Sequence, residues 1–426
     1  MASFFIPLTG LQADSTALNT IANDLSNMNT TAFKSQTAQF SDLFYQQIGL
    51  AGSGDPIQEG AGTQVSSIGT DYTQGSINST GTATDVALDG NGFFVVGNGN
   101  SLELTRAGNF TLDANGNLIT QNGLNVKGYP ATNGVVNTNS PLTNINIPVG
   151  QVEPPNATTM MNMTANLNAT ATAGTSFPGQ ITVYDSLGVS HIATVTYQQT
   201  GTNTWSYSVA LPASDFASGT STPVTGTMTF DSNGNLTSIT PTGAAGPQTV
   251  GTAAGDVSSI PVSFTGLADG ASNLNIQWNL LGSGSTPTIS QVAAASAVSA
   301  TQQDGFASGQ YQSFTINGDG SISATFSNGQ KLVVGQLALG NVTNLQGLRM
   351  LGNGDYQTTL ASGEASIAAP GAGGLGTLQG GALEQSNVNI SDEFANLIIA
   401  QRAFEANSKA VTTFDTVTQD TINMIH

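Results

Sequence analysis

"LTGLQADSTALNTIANDLSNMNTTAFKS", residues 8–35, decides the N-terminal fold because its apolar residues recur three and four positions apart. That spacing places them on one face of a helix and predicts a helix over residues 7–28. The steps of 3 and 4 are also those of a heptad seam, whose apolar members are Leu8, Leu11, Leu18, Ala22 and Leu25. The Asn-Thr-Thr run after Met28 ends the helix, because such side chains compete with the backbone for hydrogen bonds.

A second, longer helix is predicted over residues 391–425, which contain neither Gly nor Pro. Ser391 suits the N-cap position, and Asp392 and Glu393 place negative charge in the first turn, where the helix dipole favours it. The apolar members of its seam are Phe394, Leu397, Phe404, Val411, Ile422 and Ile425. At about 1.5 Å per residue this helix is roughly 50 Å long.

The sequence between the two helices is typical of β-structure throughout. "NGFFVVGNG" (91–99) is an apolar run bounded by turn residues, and Asn-Gly pairs at 115–116 and 122–123 mark tight hairpins. Gly-rich stretches at 49–63 and 369–382 separate the helices from this β-region, and such segments are flexible. We therefore expect hinges there, at Gly371, Gly373, Gly374, Gly376, Gly380 and Gly381.

The predicted fold class is mainly β, with paired long terminal α-helices and a nested multidomain architecture. A helical coiled-coil end domain carries two β-sandwich or barrel-like domains, one inserted in the other. The predicted boundaries are: helical domain, 1–35 and 385–426; Gly-rich hinge or connector, 36–71 and 364–384; first β-domain, 72–152 and 301–363; inserted outer β-domain, 153–300.

Composition excludes several classes of protein. The 426 residues include 26 acidic and 7 basic ones, for a formal net charge of −19, and the basic residues are scattered singly. Nucleic-acid binding needs clustered Lys and Arg, so we expect no nucleic-acid partner. No run of 18 apolar residues occurs, so we expect no membrane insertion. With no cysteine, the chain has no disulfide framework and no thiol nucleophile.

Candidate catalytic and metal-binding motifs are weak. "DANGNL" (113–118) and "DSNGNL" (231–236) resemble the start of a calcium loop, but Leu124 and Thr242 stand where an EF-hand needs glutamate, so both are interpreted as hairpin turns. His191 is expected on a strand surface, and His426 is the last residue. The sequence therefore predicts no enzyme, and no catalytic, cofactor or metal site.

The apolar periodicity of the terminal helices is compatible with two interpretations. They could pair and close a monomeric fold, or they could pack laterally against other copies of the chain. Unequal lengths leave about two turns of the longer helix without a partner, and polar Gln401, Ser408 and Asp415 interrupt its seam. An isolated two-helix hairpin also buries too little area to offset its ordering entropy. These features favour lateral packing, and a repeated non-closing contact produces a helical filament.

At these residues the chain resembles the flagellar hook and rod proteins, the axial protein family of the bacterial flagellum. "SNMNTTAFKS" (26–35) is similar to the family's N-terminal signature, through Asn27, Asn29, Thr30, Phe33 and Lys34. "TRAGNFTLDANGNL" (105–118) and "LEQSNVNISDEFANLIIAQRAFEANSKAVTTFDTVTQDTINM" (383–424) are similar to its body and its C-terminal helix. "FSNGQKLVVGQLALGNVTNLQGLRMLGNG" (326–354) resembles hook proteins within that family. Ala32 occupies a position where the family usually has glycine, so the sequence does not decide whether a left-handed turn forms there.

The resemblance implies a structural subunit of the flagellar hook, a curved hollow tube that acts as a universal joint between rod and filament. It implies an extracellular location, export by the flagellar type III apparatus without a cleaved signal peptide, and a helical homopolymer. Other implied partners are the rod and hook–filament junction proteins, the hook cap and the hook-length ruler. The alternatives are a distal rod subunit, which lacks a large inserted domain such as 153–300, and a cell-surface adhesin, which needs a ligand pocket instead of terminal heptads.

Overall fold

The computed structural model describes residues 5–52, 55–99 and 101–424, and helices stand near both ends of that chain. Helix α1 spans Phe5–Ser26 and helix α2 spans Ile390–Met424. The N-cap of α2 is Asn389 instead of the predicted Ser391, because the Asn389 Oδ1 atom accepts a hydrogen bond from the Ser391 N–H at 3.0 Å. Across the described residues, no helix is apolar over a long enough stretch to cross a bilayer.

The described residues between the helices form mainly β-structure, and the chain divides into two compact units. Unit 1 comprises residues 1–149, 313–325 and 331–426, and unit 2 comprises 150–312 and 326–330.

The first thirteen strands are β1 (Gln36–Asp42), β2 (Gln46–Leu50), β3 (Pro56–Glu59), β4 (Thr63–Thr70), β5 (Ile77–Ser79), β6 (Val86–Asp89), β7 (Phe93–Gly97), β8 (Glu103–Thr105), β9 (Thr111–Leu112), β10 (Leu118–Ile119), β11 (Asn125–Thr132), β12 (Val135–Val136) and β13 (Thr143–Asn144). The next twelve are β14 (Val152–Glu153), β15 (Met160–Asn168), β16 (Ser176–Tyr184), β17 (Ser190–Gly201), β18 (Thr204–Ala210), β19 (Val224–Phe230), β20 (Leu236–Pro241), β21 (Gln248–Thr249), β22 (Ser259–Phe264), β23 (Leu274–Asn279), β24 (Ile289–Val292) and β25 (Ala297–Gln303). The return segment adds β26 (Gly309–Ile316), β27 (Ser321–Phe326), β28 (Lys331–Leu337), β29 (Leu339–Asn341), β30 (Arg349–Gly352), β31 (Asp355–Gln357), β32 (Ser366–Ala368), β33 (Thr377–Gly380) and β34 (Ala382–Glu384).

The core of unit 1 forms around β7, whose five residues are all buried. Its main sheet runs in the order β27-β28-β11-β7-β8-β31-β30. Strands β9 and β10 form the hairpin expected at residues 115–116, and Gly116 takes a positive φ of 81° there. The Asn117 side-chain amide donates to Asp113 Oδ2 at 2.8 Å, and the backbone N–H groups of Asn117 and Asn115 donate to Oδ1, both at 2.8 Å. These hydrogen bonds, that of the Asn117 side chain foremost, lower the pKa of the Asp113 carboxyl group. This side chain therefore builds the turn.

The segments predicted as hinges carry paired strands. In the N-terminal connector β1 pairs antiparallel with β4, and β2 pairs with β3. In the C-terminal connector β32 pairs with β29, β33 with β6 and β34 with β5. Two of the predicted hinge glycines serve close backbone approach: a Cβ at Gly376 would lie 2.2 Å from the Asp89 carbonyl oxygen, and one at Gly380 would lie 2.4 Å from that of Ile316. Positive φ angles are found instead at Gly371, Gly373, Gly374 and Gly381.

Unit 2 contains two sheets that share one apolar core. One runs β16-β17-β18-β19-β20-β21, and the other runs β22-β23-β15-β24 with β25 paired to β15. Trp278 from the second sheet meets Tyr207 from the first edge-to-face, with ring centroids 5.6 Å apart. His191, which we expected on a strand surface, is only 5% exposed and lies among carboxylates. Its strand alternates strictly, and His191 lies on the buried face of that strand with Ala193 and Val195.

The close approach at Gly376 is testable against a nearby glycine. Gly376→Ala should lower the free energy of unfolding of unit 1 by about 2 kcal/mol, because the added Cβ overpacks a backbone contact. Gly374→Ala, which meets open space but keeps a φ of 81°, should cost about 1 kcal/mol. Urea unfolding followed by far-UV circular dichroism measures both, and two equally small effects would show that the backbone at Gly376 yields easily.

Candidate assembly interface

Helices α1 and α2 pack against each other through small and polar residues. Gly10 lies so close to α2 that a Cβ there would be 2.7 Å from Asn407 Nδ2. Asn407 Nδ2 donates a hydrogen bond to Asp14 Oδ2 at 2.8 Å. The buried residues of α1 are Pro7, Gly10, Ala13, Thr20 and Asp24, and Ala400 is the one buried residue of α2 among those described. This contact covers little apolar surface.

The predicted seams lie on other faces of the two helices. Leu8, Ala22, Phe394, Phe404 and Ile422 are exposed. Leu11, Leu18, Leu25, Leu397 and Val411 are partly exposed. Ile425 lies outside the described residues. The structure therefore does not bring the two seams together within one chain. An apolar periodicity predicts which face of a helix needs burial, but it does not predict which surface covers that face.

The C-terminal part of α2 extends beyond α1. Every residue from 412 to 424 is exposed, which is longer than the two turns we expected to lack a partner. Four of these residues are large and apolar: Phe414, Val417, Ile422 and Met424. Below this extension, α1, β1 and α2 border a groove of about 270 Å³ with Ile21, Phe40, Ile399 and Ala403 in its lining. Apolar side chains thus run along much of the helix pair in contact with solvent.

Three buried charged groups join the base of the helix pair to the β-strands of unit 1. Lys34 Nζ lies 2.6 Å from Glu384 Oε1, and Arg106 Nη1 lies 3.3 Å from Glu384 Oε2. Lys34 also donates to the Thr73 carbonyl at 2.7 Å, and Arg106 donates to that of Gly90 at 2.7 Å. Burial lowers the pKa of both cations, and the Glu384 carboxylate opposes that shift. We call Lys34, Arg106 and Glu384 the ionic junction.

The other signature residues shape the chain between α1 and the ionic junction. Ala32 adopts a φ of 54°, so the left-handed turn forms with alanine, and its N–H donates to the Glu384 carbonyl at 2.9 Å. The Thr30 hydroxyl donates to Asn27 Oδ1 at 3.0 Å within the same turn. Phe33 is half-buried and Asn29 is exposed. The signature residues therefore stabilise one tight turn around Ala32, and we call this turn with its hydrogen bonds the clasp.

A side chain from each end of the chain completes this clasp. The Asn387 side chain accepts a hydrogen bond from the Ser35 N–H at 2.8 Å and donates to the Asp71 carbonyl at 2.9 Å. Buried Asp24, near the end of α1, accepts one from the Gln36 N–H at 2.8 Å. Its Oδ1 atom has no hydrogen-bond partner among the described residues.

Burial raises the pKa of Asp24 to about 6. The Gln36 N–H opposes this shift, and the nearby negative charge of Glu393 adds to it. The two helix bases thus bring two acidic side chains together, and burial likewise raises the pKa of Glu393.

Sequence reasoning missed Arg106, Glu384, Asn387 and Asp24. For Arg106 and for the existence of an acidic partner, the sequence did contain a signal. With only seven basic residues in the chain, a lysine in one motif and an arginine in another are exceptional, and a buried cation requires an acid. Nothing in the sequence identifies Glu384 as that acid, since it lies 350 positions from Lys34.

Comparisons with known families assign most of the chain to the axial proteins of the flagellum. Residues 87–166 match the family described as "Flagellar hook protein FlgE/F/G D1 domain", and residues 156–306 match "Flagellar basal body protein FlaE D2 domain". Residues 379–424 match "Flagellar basal body rod FlgEFG protein C-terminal". The class is thus a structural protein of the hook and rod type.

Full-length relatives narrow this class. The Escherichia coli flagellar hook protein FlgE is 33% identical over 99% of this chain and 100% of its own length. Those of Treponema pallidum and Borreliella burgdorferi are 32% and 30% identical, each over 100% of this chain and 99% of their own. The chain belongs to the flagellar hook protein FlgE family. The crystal structure of Helicobacter pylori FlgE2 covers 72% of this chain and all of its own with a TM-score of 0.54 and 16% identity, a likeness of fold.

The ionic junction predicts unequal effects of removing its members. Glu384→Gln leaves two buried cations without a counter-ion and should lower the free energy of unfolding by about 3–5 kcal/mol. Lys34→Met keeps the Arg106–Glu384 pair and should lower the free energy of unfolding by less. The exposed Arg402–Glu405 pair supplies the control, since Glu405→Gln should change stability by less than about 0.5 kcal/mol. Urea unfolding followed by circular dichroism measures these costs, and an equal cost for Glu384→Gln and Glu405→Gln would contradict the junction's role.

Asp24 predicts a pH-dependent contribution to stability. Its folded pKa of about 6 exceeds the unfolded value of about 3.9, so the folded chain binds the proton more tightly. The stabilising contribution is present below the unfolded pKa and is lost as pH rises through 6. Relative to the wild type, Asp24→Asn should therefore gain most in free energy of unfolding at pH 7.5 and progressively less toward pH 4. Parallel urea titrations of both proteins at each pH check this. A difference in free energy of unfolding that does not change with pH would exclude the raised pKa.

Proposed function

We propose that this chain is a structural subunit of the bacterial flagellar hook, which polymerises into a curved hollow tube and transmits torque from rod to filament as a universal joint. The proposal depends on the solvent-exposed apolar surface of the helix pair. It is supported by relatives that are named hook proteins and that match this chain over almost its whole length. Only 8% of the residues are charged, so neutral polar side chains cover much of the surface that neighbouring copies would meet.

The exposed surface supplies the driving force for assembly. Phe394, Ile399 and Ile422 are 53%, 67% and 53% exposed. Fully burying such a side chain is worth about 1.5–3 kcal/mol, and covering the exposed half of each gains about half of that, so a contact repeated along both helices is worth several times the thermal energy. Because the two predicted seams lie apart from the contact between α1 and α2, other copies of the chain are the partners that fit them. A contact of this kind that does not close on itself builds a helical filament.

The domain plan of the proposed hook follows the predicted boundaries. The helical domain (1–35 and 385–426) forms the inner tube as a coiled-coil layer, and the connectors (36–71 and 364–384) join it to the first β-domain (72–152 and 301–363). The inserted domain (153–300) lies outermost. Continuous helix packing resists twist, whereas neutral polar surfaces on the β-domains exchange contacts as the tube turns. Bending is taken up at the open glycines Gly371, Gly373 and Gly374.

The proposed partners are those that the hook and rod family implies. They are the rod, the hook–filament junction proteins, the hook cap, the hook-length ruler and the flagellar type III export apparatus. The flagellar hook is extracellular, and the proposed place of the subunit is the hook of the basal body. Support for these partners comes from the match of residues 379–424 to the C-terminal region of the rod and hook proteins.

Phe404 provides the direct test of the assembly surface. Its side chain is 37% exposed, so Phe404→Asp should leave the fold of unit 1 intact while placing a charge in the contact between copies. We expect secretion of the variant at the wild-type level and at least a tenfold loss of tubes in electron micrographs after salt-induced polymerisation. Ala406→Asp, an exposed position two residues away and on another face of α2, is the matched control and should still polymerise. Normal tubes from Phe404→Asp would remove this side chain from the interface.

A further inference from the structure

A histidine and three aspartates converge in unit 2, away from the helix pair. His191 stands near the start of β17, and Asp185 lies in the turn that precedes it. Asp215 ends the short 3-10 turn Ala213–Asp215, and Asp269 lies in the loop between β22 and β23. His191 and Asp185 are buried, whereas Asp269 is exposed and opens the cluster to solvent.

Each of the three carboxylates is oriented by a local hydrogen bond to its Oδ1 atom. The donors are the N–H groups of Leu187 and Val189 for Asp185 (both 2.9 Å), the N–H of Ala271 for Asp269 (3.0 Å) and the hydroxyl of Ser214 for Asp215 (3.1 Å). The Oδ2 atom of every carboxylate is then directed at the imidazole. The two loops are also tied together, because the Ser272 N–H donates to the Ser186 hydroxyl at 3.0 Å.

The two ring nitrogens of His191 have different surroundings. Nδ1 lies 2.9 Å from Asp215 Oδ2, so the Nδ1–H donates to that carboxylate. Nε2 lies 3.1 Å from Asp185 Oδ2 and 3.8 Å from Asp269 Oδ2. In the tautomer that Asp215 selects, the Nε2 lone pair faces two anionic oxygens. Either a proton on Nε2 or a bound cation balances these two anionic oxygens.

We propose that Asp185, His191 and Asp269 bind a divalent transition-metal ion, of which zinc fits best. Zinc bonds of about 2.0–2.2 Å in tetrahedral geometry place neighbouring ligand atoms about 3.4 Å apart, a spacing that the 3.1 and 3.8 Å separations bracket. All three ligand atoms lie within 4.8 Å of one another. Asp215 is a positioning residue, since a carboxylate on the remote nitrogen fixes the orientation of a metal-binding histidine. The exposed side of Asp269 leaves the fourth position to water.

The consequence of such a site is a cross-link between the two sheets of unit 2. Asp185 and His191 belong to the β16–β17 hairpin of one sheet, and Asp269 belongs to the β22–β23 connection of the other. An ion held by both ties these edges together and stabilises the folded form, because the unfolded chain does not present the site. Unit 2 carries both tryptophans of the chain, Trp205 and Trp278, so their fluorescence reports its unfolding.

The test uses the full chain, stripped with chelator and dialysed against micromolar zinc at pH 7.5. We expect one zinc per chain and a higher urea midpoint in tryptophan fluorescence, reversed by chelator. With cobalt(II) in place of zinc, we expect visible absorption bands typical of tetrahedral coordination. Asp269→Asn, at an exposed position, should weaken binding at least tenfold without unfolding unit 2. Asp231→Asn is the control, since that carboxylate already accepts backbone N–H groups and should leave zinc binding unchanged.

Two results would overturn the proposal. One is the absence of stoichiometric zinc at micromolar concentration, which would assign the cluster to a protonated His191 paired with carboxylates. The other is zinc binding that Asp269→Asn and His191→Ala leave as tight as in the wild type, which would place the ion elsewhere. Neither result bears on polymerisation, which the Phe404 variants test separately.

Discussion

The buried carboxylate of Glu384 is the interaction on which the arrangement of unit 1 depends. It comes from the strand that precedes α2, and it meets Lys34 from the segment after α1 and Arg106 from the body. One group thus holds both ends of the chain to the same point of unit 1. The site has one anion for two cations, so the backbone carbonyls of Thr73 and Gly90 supply the remaining acceptors. Burial makes such a cluster sensitive to the loss of any member, since an uncompensated charge remains in a low-dielectric environment.

With the bases of the helices fixed, the helices themselves need little mutual attraction. Their contact uses Gly10 and Ala13 on α1 and Ala400 on α2, which allow close approach but bury little apolar area. Of the predicted seams, Leu8, Phe394 and Phe404 remain exposed, whereas Leu11, Leu18 and Leu25 are partly exposed. Such a division is unfavourable in an isolated molecule and would serve a polymer, in which the proposed contacts between subunits would bury the exposed apolar side chains.

The body shows the reverse pattern, with apolar groups buried and turns closed locally. Asp113 and Asp185 each accept backbone N–H groups within their own hairpin turns, although only the second also faces a histidine. The same turn chemistry thus serves structure in one unit and a candidate ion site in the other. Ala32 illustrates how strongly the clasp directs the backbone: its hydrogen bond to the Glu384 carbonyl accompanies a left-handed conformation that usually calls for glycine.

The sequence alone determined what depends on neighbouring residues: the two terminal helices, the mainly β middle, the Asn-Gly hairpins and, through motifs, the family. Tertiary structure decided what depends on distant ones. It paired Lys34 with an acid 350 positions away, and it placed the strands β33 and β34 where glycine content predicted a hinge. It also turned the predicted leucine stripe away from the contact between α1 and α2, and it brought His191 together with carboxylates from two sheets. Periodicity reports which face of an element is apolar, whereas the surface that covers that face is chosen by long-range contacts that no local pattern encodes.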